Sequence, residues 1–211
     1  MPEKYEKFYQ LPQAWQDFLQ ACQACKKCDL YQSRQNVVVY RGGLEAKLML
    51  VGEGPGANED KLGKPFVGRS GKLLDSLLRA QEFTEDDYHI CNIVKCRPPG
   101  NRTPTAEEAI ACKNLFGHQF NLVKPKVIVL IGSTAYRYFT NLEEPISKVR
   151  GRWIEKQGYF IMPTFHPAYL LRNPSKRLDM WQDFALVREK MTALGLLKPV
   201  HKPFNFEDWQ R

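Results

Sequence analysis

The sequence predicts an α/β fold: a single domain with three layers, α/β/α, around a central, mainly parallel four-stranded sheet. Three observations predict it. Four short apolar runs bounded by glycine or proline recur along the chain, helical patterns separate them, and 211 residues with 43% hydrophobic composition suffice for one full core. Strands alternating with helices imply crossover connections, and crossovers give parallel pairing.

The stretch Ala14 to Ala24 patterns as an N-terminal helix that delivers Cys25 and Cys28. Lys47 to Val51 reads as the first buried strand, followed by a helix over Gly71 to Ala80. Tyr88 to Val94 reads as the second strand. The helix after it runs from Pro104 to Leu122, with Thr105 as a cap and Glu107 and Glu108 in the first turn, where carboxylates suit the helix dipole. Val127 to Ile131 is the third strand, Ser133 to Phe139 a helix, and Tyr159 to Met162 the fourth strand. From Ser175 a long amphipathic stretch places Leu178, Trp181, Ala185, Met191 and Leu194 near helical spacing. The domain thus spans 1–211, with an N-terminal helix and paired cysteines in 1–28 and a loosely packed tail over 198–211.

Met1 to Gln10 is polar and charged, unlike a signal peptide, and no stretch approaches membrane-spanning length. The expectation is a cytoplasmic monomer with no membrane partner. A net charge of +8 permits a polyanionic partner without requiring one.

The cysteines carry the most information. Cys25-x2-Cys28 is a close pair, whereas Cys96 and Cys112 lie far downstream and are separated by fifteen residues. Thiolates select soft metals, and four suit either tetrahedral zinc or an iron-sulfur cluster. Zinc ribbons usually repeat the close pair, so the asymmetry favours a cubane cluster. Buried free thiols are the plain alternative, because free cysteine packs like a small apolar residue. Cys22 and Cys91 are read that way, and a disulfide framework is not expected without a signal peptide.

Other unusual residues fall beyond or near strand ends. Gly52-Glu53-Gly54-Pro55-Gly56 follows the first strand, Asn92 lies in the second, and His166-Pro167 follows the fourth. In open α/β sheets ligands bind beyond the carboxyl ends of strands, so these elements can converge on one site. The glycine loop lacks the Lys-Ser/Thr ending of a P-loop and does not complete a dinucleotide fingerprint; nucleotide cofactors are not supported. Phe66 in Gly63-Lys64-Pro65-Phe66-Val67-Gly68 can stack on a planar base or serve as an ordinary core residue. Asn92 can pair with an amide-like base edge or satisfy a backbone group. The loop Phe165-His166-Pro167-Ala168-Tyr169-Leu170-Leu171-Arg172 offers a donor to developing charge, an apolar wedge and a phosphate contact.

In this order, and with all four cysteines at matching spacing, these segments resemble the family 4 (type A) uracil-DNA glycosylases, the iron-sulfur branch of the uracil-DNA glycosylase superfamily. The likeness runs from about Cys25 to Arg172 and includes Glu59-Asp60, Arg69-Ser70-Gly71, Asn92-Ile93-Val94-Lys95-Cys96-Arg97-Pro98-Pro99 and Asn101-Arg102-Thr103-Pro104. It implies a repair enzyme that flips uracil from single- or double-stranded DNA, hydrolyses its N-glycosidic bond and leaves an abasic site. It implies a [4Fe-4S] cluster on Cys25, Cys28, Cys96 and Cys112. The uracil pocket would use backbone groups of Gly52, Glu53 and Gly54, stacking by Phe66 and pairing by Asn92, with His166 stabilising charge on uracil O2. Leu170 would be the wedge and Arg172 a phosphate contact. Family 1 members carry an aspartate where this chain has Gly54, so Glu53, ranked ahead of Glu59, would position the water, unless the electrostatics of the pocket alone suffice.

A related branch bonds covalently to uracil-DNA through a histidine in a basic insertion, and no such insertion lies between Gly71 and Tyr88. The competing expectation from another class is a noncatalytic, metal-stapled DNA-binding module. A zinc hydrolase ranks below both.

Overall fold

Apolar runs with both faces buried form parallel strands between helical layers, and the computed structural model of this protein, which describes residues 10–156, 158–199 and 205–210, has such runs at its centre. Its sheet comprises β1 (Arg41–Gly42), β2 (Leu48–Gly52), β3 (Tyr88–Asn92), β4 (Val127–Ile131), β5 (Ile154–Lys156) and β6 (Tyr159–Thr164), in the order β1-β3-β2-β4-β6-β5. The four predicted strands are the middle four, mutually parallel. Two short strands were not anticipated: β1 and β5 pair antiparallel at the edges, making six strands rather than four.

The helices are α1 (Gln13–Ala24), α2 (Leu30–Ser33), α3 (Ala57–Leu62), α4 (Arg69–Ala80), α5 (Ala106–Val123), α6 (Ser133–Thr140), α7 (Ile146–Val149), α8 (Pro167–Arg172), α9 (Arg177–Ala193) and α10 (Phe206–Gln210). Side chains of a strand alternate between faces, and β2 shows the result. Met49 and Val51 join a core with Trp15 and Phe18 of α1, Cys112 of α5 and Tyr136 of α6. Leu48 and Leu50 join the opposite core, with Leu74 and Leu77 of α4 and Met180 and Phe184 of α9. These two cores make the three expected layers.

Thr105 caps α5 as its position predicts. Its Oγ1 accepts from the Glu108 N–H at 3.3 Å, and the Glu108 carboxylate accepts from the Thr105 N–H at 2.8 Å, a reciprocal capping box. The last long helix differs from expectation. A 3-10 turn over Pro174–Lys176 precedes α9, and the buried stripe is Met180, Trp181, Phe184, Val187 and Met191. Leu178 and Leu194 stand 44% and 41% exposed, off the core face.

The tail is not loose where it is described. Trp209 of α10 is buried, stacks on Trp181 with ring centroids 6.0 Å apart, and donates from Nε1 to Ser76 Oγ at 2.9 Å. A large indole with a satisfied N–H is enough to dock a short helix. Residues 200–204 and 211, also read as tail, lie outside the described residues, as do residues 1–9. No described helix is long and apolar enough to cross a membrane.

Candidate active site and thiol pocket

Because β3, β2, β4 and β6 run parallel, their carboxyl ends share one edge of the sheet. A cleft of about 810 Å³ opens there, lined by Glu53, Gly54, Phe66, Asn92, His166 and Arg172 among others. Such a volume suits a small planar ligand together with its attached sugar. Gly52 and Asn92 are register partners at the ends of β2 and β3. Ile93 and Val94 N–H donate to the Gly52 and Glu53 carbonyls at 2.9 and 3.2 Å, which carries the pairing into the loops. A Cβ on Gly52 would lie 2.4 Å from Asn92 Oδ1 and 2.6 Å from the Phe66 ring, so this floor position accepts no side chain. Asn92 is 1% exposed and its Oδ1 has no hydrogen-bond partner. A buried, unpaired acceptor is costly unless a ligand completes it.

Phe66 sits in the left-handed region, φ 53°, which a bulky residue rarely adopts. Its neighbours impose this. Glu59 Oε1 accepts from the N–H groups of Val67 and Gly68 at 2.8 and 2.7 Å, and Arg41 Nε donates to the Pro65 carbonyl at 2.9 Å. Gly71, in the first turn of α4, leaves room for the Phe66 carbonyl, which a Cβ there would meet at 1.9 Å. Strain fixed from several directions is the mark of a positioned side chain. The Phe66 ring ends with its centroid 5.7 Å from that of His166, the planes 29° apart.

His166 caps α8, its Nδ1 accepting from the Ala168 N–H at 3.1 Å. Burial, reinforced by the Arg172 charge and opposed by Glu59, pushes its pKa down to about 4. The ring is therefore neutral near pH 7, and with Nδ1 accepting, its proton resides on Nε2. Behind it, Thr164 at the end of β6 donates to Asp183 Oδ2 at 2.6 Å, and Arg150 donates to both oxygens of the same fully buried carboxylate. This network holds the strand end two residues before the imidazole.

The four cysteines of the sequence argument also converge. Cys25, Cys28, Cys96 and Cys112 line one pocket with Cys22, Arg34 and Lys95, and all six cysteines of the chain are unbridged. Arg34 Nη1 donates to Cys96 Sγ at 3.1 Å and to the Cys25 carbonyl at 3.0 Å. Burial pushes the Cys96 thiol up to about 11 and raises those of Cys28 and Cys112, while Arg34 acts against it at Cys96 and Lys95 at Cys112. Cys22 borders this pocket, whereas Cys91 packs in the core of β3.

The description "Uracil DNA glycosylase superfamily" belongs to the family model that matches residues 39–186. The chain belongs to that superfamily. Within it the chain is similar to the type-4 uracil-DNA glycosylase of Thermotoga maritima, 50% identical over 156 residues, covering 73% of this chain and 81% of the relative. That of Sulfurisphaera tokodaii is 43% identical over 175 residues, 79% and 80% of the two chains. That of Saccharolobus solfataricus is 40% identical over 178 residues, 80% and 82%.

In this superfamily member the cleft gathers Gly52, Glu53, Gly54, Phe66, Asn92 and His166, with Arg172 exposed at its rim. Leu170 requires a correction. It is fully buried in the core beneath α8, so it is not available as a wedge in this conformation; Tyr169, 36% exposed, lines the cleft together with Ala168 and Arg172 of the same helix. Glu59 is committed to the Phe66 loop, whereas the Glu53 carboxylate has no hydrogen-bond partner among the described residues. At Gly54 a Cβ would lie 2.8 Å from Val94 Cγ2, so an aspartate there would require Val94 to shift. Sequence reasoning missed Lys95 and Arg34. A lysine inside an apolar run beside Cys96 was the available signal for the first; nothing in the sequence marked the second.

Proposed function

We propose that this chain is a DNA-repair uracil-DNA glycosylase that extrudes uracil from DNA, single- or double-stranded, hydrolyses its N-glycosidic bond and leaves an abasic site. The observation that carries the reading is the unpartnered Asn92 Oδ1, buried in a cleft shared with a pinned Phe66 and a neutral His166. Uracil presents an N3–H donor beside the O4 acceptor, the complement of a carboxamide whose oxygen accepts and whose nitrogen donates. Phe66 supplies the stacking face.

As C1′–N1 breaks, its electron pair leaves with the base and negative charge develops on O2. The Nε2–H of His166 is the donor assigned to that oxygen, worth about 10²–10³ in rate by analogy with other oxyanion donors. The histidine keeps its proton. Water adds to C1′, loses a proton, and free uracil regains one. Glu53 is the carboxylate assigned to position that water, because Glu59 already bonds two backbone amides. Extrusion costs a few kcal/mol of unstacking, offset by contacts to phosphate; Arg172 and the net charge of +8 support that role.

Cys25, Cys28, Cys96 and Cys112 are assigned to a [4Fe-4S] cluster. The donor set fits: four unbridged thiols in one pocket, with an N–H donor from Arg34 to the Cys96 sulfur. The cluster would supply a rigid cross-link between α1, the loop after β3 and α5. The protein is assigned as a monomer working in a reducing cytoplasm, the compartment in which such thiols stay available to metal.

The test is an end-labelled oligonucleotide with one uracil, incubated with the protein and cleaved by hot alkali beside a thymine control. Scission only at uracil and only after alkali is expected. Tight binding with no abasic product would favour the noncatalytic DNA-binding module instead.

A further inference from the structure

Lys95 is 1% exposed, yet among the described residues no carboxylate pairs with it. Its Nζ donates to the Asn92 carbonyl at 2.8 Å and lies 5.3 Å from the centroid of the Phe116 ring. One neutral acceptor and one aromatic face do not repay the desolvation of an ammonium, and buried charges are as a rule paired. Lys95 borders the pocket of the four cysteines and precedes Cys96 directly in the chain.

We infer that Lys95 is a positioning residue that links the cysteine centre to the base pocket: its ammonium compensates the negative charge of the metal-bound thiolates and clamps the Asn92 carbonyl at the end of β3. The inference rests on the cluster assignment above. Four thiolates around a four-iron core carry a net negative charge, which gives the buried lysine its missing partner. That charge holds Nζ where it reaches Asn92, whose side chain carries the unpaired acceptor. The centre thereby has a mechanical connection to the pocket through one side chain.

Lys95→Met keeps the stem and removes the charge. Reduction adds an electron to the centre and a nearby cation favours it, so in brown Lys95→Met protein the midpoint potential, followed by visible absorption, shifts to more negative values. Single-turnover excision at saturating DNA falls about 10–100-fold, the range typical of outer-shell partners, with the half-saturating DNA concentration unchanged. Lys95→Arg keeps the charge and retains the wild-type potential. A Lys95→Met protein with wild-type potential or wild-type excision overturns the inference. If Lys95→Met cannot hold iron, Lys95→Arg decides: a brown arginine variant upholds the charge requirement, and a colourless one shows that shape alone matters and overturns it. Wild-type protein without iron or visible absorption is a separate outcome that overturns the cluster assignment itself.

Discussion

The Ala168 backbone N–H donates to His166 Nδ1 at 3.1 Å, and this bond decides which face of the imidazole can donate. It leaves the proton on Nε2 and links ring orientation to the first turn of α8, whose N-cap is His166 itself. His166→Ala should lower single-turnover excision by about 10²–10³ while the circular dichroism spectrum and the visible absorption stay as in wild type. An unchanged rate would remove His166 from the site.

Burial of the same ring sets a pH dependence. With its pKa pushed down to about 4, His166 remains neutral through the ordinary histidine range near 6.5, so excision should not fall as pH drops past 6.5, and should fall only toward 4. Stability behaves differently. His89, fully buried between the Gly43 carbonyl and Gln119, is also pushed down to about 4. Between 6.5 and 4 the unfolded chain binds protons at both histidines that the folded chain does not, so stability declines as pH falls through that window and levels below it. Urea midpoints at intervals between pH 7 and 4 measure the slope, which His89→Gln should reduce.

Gly52→Ala should abolish excision while the protein stays folded and coloured. The added methyl would fall on Asn92 Oδ1 and the Phe66 ring together, so both would be pushed into the cleft and out of the positions that form the base pocket. Uracil release and the visible spectrum, read on the same preparation, check both halves.

Asp183→Asn tests the brace behind the histidine. Replacing this buried carboxylate leaves the Arg150 guanidinium with only the more distant Asp179 carboxylate, 3.6 Å away, as a charge partner, and breaking a buried pair costs at most about 3–5 kcal/mol. A lower urea midpoint is expected, with reduced excision under native conditions because Thr164 loses its acceptor's charge at the end of β6.

Cys96→Ser should lose colour and stability together. Its sulfur lies in the loop after β3 and accepts from Arg34, which also ties down the end of α1 through the Gln23 and Cys25 carbonyls. An unaltered visible spectrum would strike Cys96 from the ligand set.

The middle of the fold was legible because β2 and β4 are apolar throughout, β3 departs from that only at His89 and Asn92, and all three are buried at every position. The edges were not: β1 has two residues and β5 three, none of them buried, too few to show a period. Strand ends also made the site legible, since Gly52, Asn92 and His166 are placed by where strands stop. What failed depended on rotation about a helix axis. In the six residues of α8 the sequence does not say which of Tyr169 and Leu170 faces inward; the core takes Leu170. The commitment of Glu59 and the burial of Lys95 depend on contacts with residues that the sequence alone does not bring alongside.

The thiol pocket also imposes an order on the making of the protein. Cys25 and Cys28 leave the ribosome ahead of the other two, Cys96 emerges only after β3, and Cys112 later still on α5. The first pair therefore waits, uncovered, while the intervening chain is synthesised, and its thiols are open to oxidants throughout that interval. Cells that translate this chain slowly, or under oxidative stress, would be expected to accumulate damage at Cys25 and Cys28 before any at Cys112.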